Sequence, residues 1–111
     1  MIISEREGIY SAQHVTGPTH NLLRLKLERG AKDDLTILVL PPMGHSRQRE
    51  PLKSEDVLPF IRAGIADANT ILGTNFVAVH AEIVEDDSRQ PAVYEYIARK
   101  IVEEAAKRQI S

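Results

Sequence analysis

Apolar and polar positions alternate in the first part of the chain and recur every three to four residues later on. That change of period divides the sequence into strands and helices. From Gly8 to Val15, Ile9, Tyr10, Ala12 and Val15 interleave with polar residues and predict a strand. Thr16-Gly17-Pro18-Thr19 has turn chemistry, because Gly permits positive φ and Pro fixes φ near −65°. Leu23, Leu25 and Leu27 then alternate with Arg24, Lys26 and Glu28, the period of a half-buried strand with one wet face. Gly30 to Asp34 reads as a hairpin loop. Leu35 to Leu40 is a continuous apolar run, which suits a central strand covered on both faces. Pro41-Pro42 ends it, since proline cannot donate to a ladder.

Met43 to Lys53 is polar loop sequence. Ser54 is placed to cap a helical turn through Glu55 and Asp56, acids that favour a helix N-terminus. Pro59 predicts that this turn stands apart from the main helix. Ile61, Ile65, Ala68 and Leu72 then fall about four apart, with Ile71 beside them. Gly64 costs such a helix about 1 kcal/mol relative to Ala, which points to close packing on a sheet. Gly73 supplies the C′ residue.

Phe76 to Val84 predicts another strand, with Val77, Val79, Ala81 and Ile83 on one side and Ala78, His80, Glu82 and Val84 on the other. After the acidic turn Glu85-Asp86-Asp87-Ser88, Pro91 opens a helix over 92–109. Val93, Ile97, Ile101 and Ala105 form its stripe, supported by Tyr94, Ala98 and Val102. Glu95–Arg99, Glu103–Lys107 and Glu104–Arg108 are i,i+4 pairs with the acid first, each worth about 0.2–0.5 kcal/mol on a solvated face. The order is β-β-β-α-β-α. It predicts an α+β two-layer sandwich, a four-stranded sheet with two helices on one face, in a single domain over residues 1–111.

Composition narrows the chemistry. The 111 residues contain no cysteine, so disulfides, thiolate metal sites and a Cys nucleophile are excluded. No apolar run reaches the roughly 18–20 residues of a membrane span. Residues 1–8 are charged early and lack a signal-peptide core, so a cytoplasmic location is expected. Net charge is −2, against a dedicated nucleic-acid binder. Residues 1–54 nevertheless carry eight Lys/Arg against six Asp/Glu, and Arg47, Arg49 and Lys53 share one loop with His45. That loop is either simply solvated or a phosphate- or RNA-contacting surface.

The histidines are His14, His20, His45 and His80. None has the spacing of a helical metal site, so no metal is expected. His14 and His20 lie across a turn, where they could converge with His80 on one sheet face. His20 is the candidate general acid, since a histidine near neutral pKa suits delivery of a proton to a leaving hydroxyl; the alternative is a loop histidine bonded to backbone or water. His80 reads as a satisfied strand residue or a ligand contact. Asp86 and Asp87 would raise each other's pKa in a shared dry pocket, or cap the helix after them. Tyr94 and Tyr96 point in different directions on a helix, one packed and one at a rim. Ser54 and Ser88 lack a nucleophile-elbow context and read as caps.

Two resemblances follow from these residues. Tyr94-Glu95-Tyr96-Ile97-Ala98-Arg99-Lys100, preceded by Asp86-Asp87, resembles the closing segment of the formaldehyde-activating enzyme family. Ala66-Asp67-Ala68, followed by the strand from Phe76, is also similar. His20 stands roughly where that family has its catalytic histidine, with Leu22, Leu23 and Arg24 where an acidic residue follows. The resemblance implies a fold like the ribosomal protein S5 domain 2, a cytoplasmic homo-oligomer, and condensation of formaldehyde with a reduced pterin, tetrahydromethanopterin. An active chain of this kind would be a carbon–nitrogen condensing lyase in one-carbon metabolism. His20 would then be catalytic, with His80, Asp86, Asp87 and Tyr94 near the ligand. Pro59-x-Ile61-x-x-Gly64-Ile65 and Asp87-Ser88 look like parts of elongation factor G domain IV, which implies a ribosome- or RNA-associated module using Arg47, Arg49 and Lys53. A ligand-free oligomeric scaffold is the third expectation.

Overall fold

In the computed structural model, which describes residues 1–17, 19–30, 34–44 and 50–110, the elements run β1 (Ile3–Arg6), β2 (Ile9–Thr16), β3 (Thr19–Arg29), β4 (Thr36–Leu40), α1 (Ser54–Leu72), β5 (Phe76–Val84) and α2 (Pro91–Ile110). The α+β class and the two helices agree with the sequence pattern, but the sheet has five strands rather than four. The extra strand, β1, folds back on β2 through Glu7-Gly8, both at positive φ. Its short, mostly exposed stretch carries no apolar alternation.

The sheet order is β1-β2-β3-β5-β4, antiparallel except for β4 with β5. Two expectations change as a result. Leu35–Leu40 is not central: a parallel pair needs a crossover, and the one through α1 leaves β4 at the sheet edge, with Leu38 exposed. β3 and β4 do not pair as a hairpin, because β5 lies between them; residues 31–33 lie outside the described residues.

Both helices cover one face. α2 lies over β2 and β3, and α1 over β4 and β5. Leu23, Leu25, Ile61, Ile83, Ile97 and Ile101 share one core cluster and are almost fully buried. Burying each such side chain contributes roughly 1.5–3 kcal/mol. The α2 stripe falls where its periodicity puts it. The α1 stripe ends early: Ile71 and Leu72 are exposed, because Asn69 already turns the chain back. Its Oδ1 accepts Phe76 N–H at 3.0 Å, its Nδ2 donates to Phe76 O at 2.8 Å, and Gly73 adopts the left-handed conformation expected at the helix end.

The start of α1 also differs. Lys53, in an extended conformation, is the N-cap, and its N–H donates to Asp56 Oδ2 at 3.0 Å; Ser54 is the first helical residue. Leu52 before the cap and Val57 within the first turns are both buried in the core, the arrangement of a hydrophobic staple. Pro59 lies inside the helix instead of dividing it. Val57 and Ile61, buried on either side of Pro59, hold the helix continuous despite the missing N–H. Gly64 packs on α2, not on the sheet: a Cβ there would run into the Glu95 carbonyl. Of the α2 ion pairs, Glu104–Arg108 forms at 3.3 Å, whereas Arg99 reaches Asp67 on α1 at 3.7 Å.

β5 does not keep strict alternation. Opposite β3, Lys26 pairs with His80 and Leu27 with Ala78, so the register slips at Val79. This bulge sets Phe76, Ala78, Ala81 and Ile83 all toward the core and leaves Val77, His80 and Glu82 less buried.

Candidate functional site

The start of β3 and the loop between β5 and α2 meet at one end of the sheet. Thr16 pairs with Thr19 around a tight turn, which begins β3 with His20, Asn21 and Leu22. Alternation sends His20 to the face without helices and Asn21 into the core. A buried Asn one step ahead of Leu23 and Leu25 on the same side was the one visible sign of polar construction here.

The loop is stitched onto that strand. Ser88 N–H donates to His20 O and Ser88 Oγ accepts His20 N–H, both at 3.1 Å. Asp87 is fully buried; its Oδ2 accepts Leu22 N–H at 2.6 Å, and its Oδ1 lies 3.3 Å from His20 Nδ1. Asn21 Nδ2 donates to Ser88 O at 2.7 Å and to the Tyr94 hydroxyl at 3.1 Å, while Gln90 Nε2 donates to Asn21 Oδ1 at 3.2 Å. His20 Nε2 faces Gln13 Oε1 at 3.2 Å. His20 is thus held at both ring nitrogens, with one-fifth of its side chain open to solvent.

These contacts revise the roles read from sequence. Ser88 is not a helix cap; it extends the pairing of β3. Asp86 and Asp87 share no pocket and do not cap α2, which begins at Pro91: Asp86 Oδ1 accepts Met43 N–H at 2.8 Å, and Asp87 turns inward. Tyr94 is fully buried, with its hydroxyl accepting from Asn21. Burial above all, with the Asp87 charge nearby and despite the Asn21 bond, pushes its phenol well above the ordinary value of 10.0. Tyr96 is the rim tyrosine, edge-on to His14 with ring centroids 5.7 Å apart.

The three described histidines do not converge. His14 pairs with Asn21 and Val15 with His20, so His14 and His20 point to opposite faces. His80 belongs to a separate cluster: its Nε2 lies 3.1 Å from Glu82 Oε2, and Glu82 Oε1 accepts from Arg24 at 3.3 Å. Arg47, Arg49 and His45 lie outside the described residues. Lys53 is exposed at the head of α1.

Gln13, Asn21 and Gln90 complete the site and were not singled out in the sequence, where Ser88 was read only as a cap; of the three, only Asn21 left a trace in the hydrophobic pattern. Among the described residues no group of three or more potential ligands could hold a metal ion, and no helix is long and apolar enough to cross a membrane. The class the fold and site define is an α+β sandwich with a braced histidine at the rim of its sheet. Comparison with known families, characterised proteins and solved structures finds no match to this chain.

Proposed function

We propose that the chain is a small relative of the formaldehyde-activating enzyme family, of S5 domain 2-like fold, working as a cytoplasmic homo-oligomer on a reduced pterin. The order β-β-β-α-β-α after β1 and the placing of both helices on one face support the fold relationship. The observation that carries the functional reading is the His20–Asp87 pair. The family's acidic residue close behind the histidine is absent from the sequence, but a buried carboxylate arrives from the β5–α2 loop instead.

The chemistry asks for one proton donor. An amine nitrogen adds to formaldehyde to give a carbinolamine, and loss of its hydroxyl as water requires a proton at that oxygen. Asp87, acceptor-only when ionised, favours the Nδ1–H form of His20 and holds the ring in place. The Nε2–H of the protonated ring delivers the proton, and Nε2 recovers one when the second amine closes the methylene bridge. Gln13 fixes Nε2 before substrate arrives.

The test is consumption of formaldehyde by the purified chain in the presence of a reduced tetrahydropterin. Turnover in the wild type that falls at least about a hundredfold in His20→Ala is the expected result. No turnover by the wild type, or the same rate in the variant, rejects the reading.

A further inference from the structure

β1 covers only part of β2. Their pairing stops at Ile3 and Ala12, while β2 continues to Thr16. The tight turns on either side of β2, Arg6↔Ile9 and Thr16↔Thr19, fix which amides face which neighbour. Antiparallel alternation turns the amide groups of His14 and Thr16 toward β3 and those of Gln13 and Val15 away from it. Where the β1 pairing ends, the Gln13 N–H is taken by Ile2 C=O, so the Val15 N–H and C=O, with the Gln13 C=O beside them, are left along a bare strand edge.

A hollow of about 670 Å³ lies against that edge, walled by Met1, Ile2, Val15 and Tyr96, with His14 and Gln13 also lining it. All four wall residues are exposed apolar side chains. Such a group around one concavity marks a binding site more often than scattered surface residues do. His14 Nδ1 is shielded from solvent and has no hydrogen-bond partner among the described residues. Gln13 belongs to both places, since the side chain that lines the hollow also reaches His20 Nε2.

We infer that this edge seats a flat heterocycle bearing an amide-type edge, an N–H beside a C=O, as pterin and guanine both do. The strand amides would pair with that edge as they pair with another strand, and the apolar walls would cover the ring. The free run, residues 14–16, is roughly 10 Å long. It offers a single outward N–H flanked by C=O groups, which fits the amide edge of one bicyclic ring and is fewer groups than even the four-residue β1 engages on β2, so a small molecule is selected over an added peptide strand. A ring in this position lies one side chain from His20, across Gln13. The link to turnover rests on the His20 reading above; the seat itself rests on the edge and the hollow.

The experiment titrates pterin and, separately, guanosine into the full chain and maps amide chemical shifts. Val15→Pro removes one outward donor without touching the β3 ladder, and Tyr96→Ser removes a wall at the surface. Shifts at residues 13–16 and Tyr96, with affinity reduced about tenfold in either variant, are expected; the tighter of the two probes identifies the ring type. Shifts confined to other surfaces, or no binding of either probe at millimolar concentration, overturn the inference. Pterin seated at the edge of a protein that consumes no formaldehyde removes the one-carbon reading and keeps this seat. Formaldehyde turnover unchanged in both variants does the reverse.

Discussion

The carboxylate of Asp87, in the β5–α2 loop, accepts the backbone N–H of Leu22 on β3 at 2.6 Å, and both residues are buried. One side chain thus closes the end of β3 and orients His20. Asp87→Ala strands a buried N–H, at a cost of about 1–3 kcal/mol, and frees the imidazole. Asp87→Asn keeps one oxygen for Leu22 and removes the charge beside His20. Urea denaturation is expected to separate the two, with Ala well below Asn, while any activity falls in both. Equal stability of Asp87→Ala and wild type would show that this clasp contributes nothing.

Gly64 and the Glu95 carbonyl test the helix pair. In an exposed helix, Gly→Ala gains about 1 kcal/mol. Here the added Cβ meets backbone, which cannot rotate away. Gly64→Ala is therefore expected to lose about 1–3 kcal/mol as α1 and α2 are forced apart. A gain in the denaturation midpoint would mean that the helices do not approach this closely.

How far these relationships could be read from the sequence depends on their range. The stripes Val93–Ile97–Ile101 and Leu23–Leu25–Leu27 follow from local periodicity, and both face the core cluster. Leu35–Leu40 misled because a strand's place in a sheet is not written in its own residues: the crossover through α1 put this one at the edge, where none of its apolar side chains is fully buried. The slip at Val79 reverses side-chain parity without any glycine to mark it. Gly64 signalled close packing correctly, but a missing Cβ does not say which neighbour comes near. At the site, His20 and Asp87 were visible as residue types, while their meeting depends on contacts 67 residues apart.

Glu82 gives a pH-dependent test on the open face. Burial alone would raise its pKa, but hydrogen bonds from His80 and Arg24 outweigh it and hold the carboxyl below the ordinary 4.5. A depressed folded pKa means stability that is present above the unfolded value and lost as pH falls through the folded one. Wild type is therefore expected to lose more stability than Glu82→Gln on acidification below about pH 4.5. Denaturation midpoints of the two proteins across that range check this; parallel curves would count against the cluster.

Tyr94 provides the alkaline counterpart. Its phenol is raised above 10.0, chiefly by burial, so the folded protein keeps it neutral where the unfolded chain ionises it. That contribution is complete below the unfolded value and is lost as pH rises above it. Tyr94→Phe is expected to flatten the fall in stability above pH 10.0 while costing about 1 kcal/mol at neutral pH through the lost bond to Asn21.

The β1–β2 turn tests whether the first strand is firmly paired, and with it where the bare edge begins. Glu7 and Gly8 both have positive φ, 55° and 84°, as a two-residue turn with right-handed strand twist requires. Glycine adopts that conformation freely, whereas glutamate is strained in it; asparagine tolerates it better than most L-residues. The Gly8 N–H is already taken by Glu5 Oε2 at 2.9 Å, so the Glu7 side chain is not needed there. Glu7→Asn is expected to stabilise the protein by about 0.5–1 kcal/mol and to slow exchange of the amides in β1. If neither quantity moves, β1 is already frayed in the native protein. The open edge of β2 would then extend from Thr16 back to Ile9, making room for an added strand where a ring is now inferred.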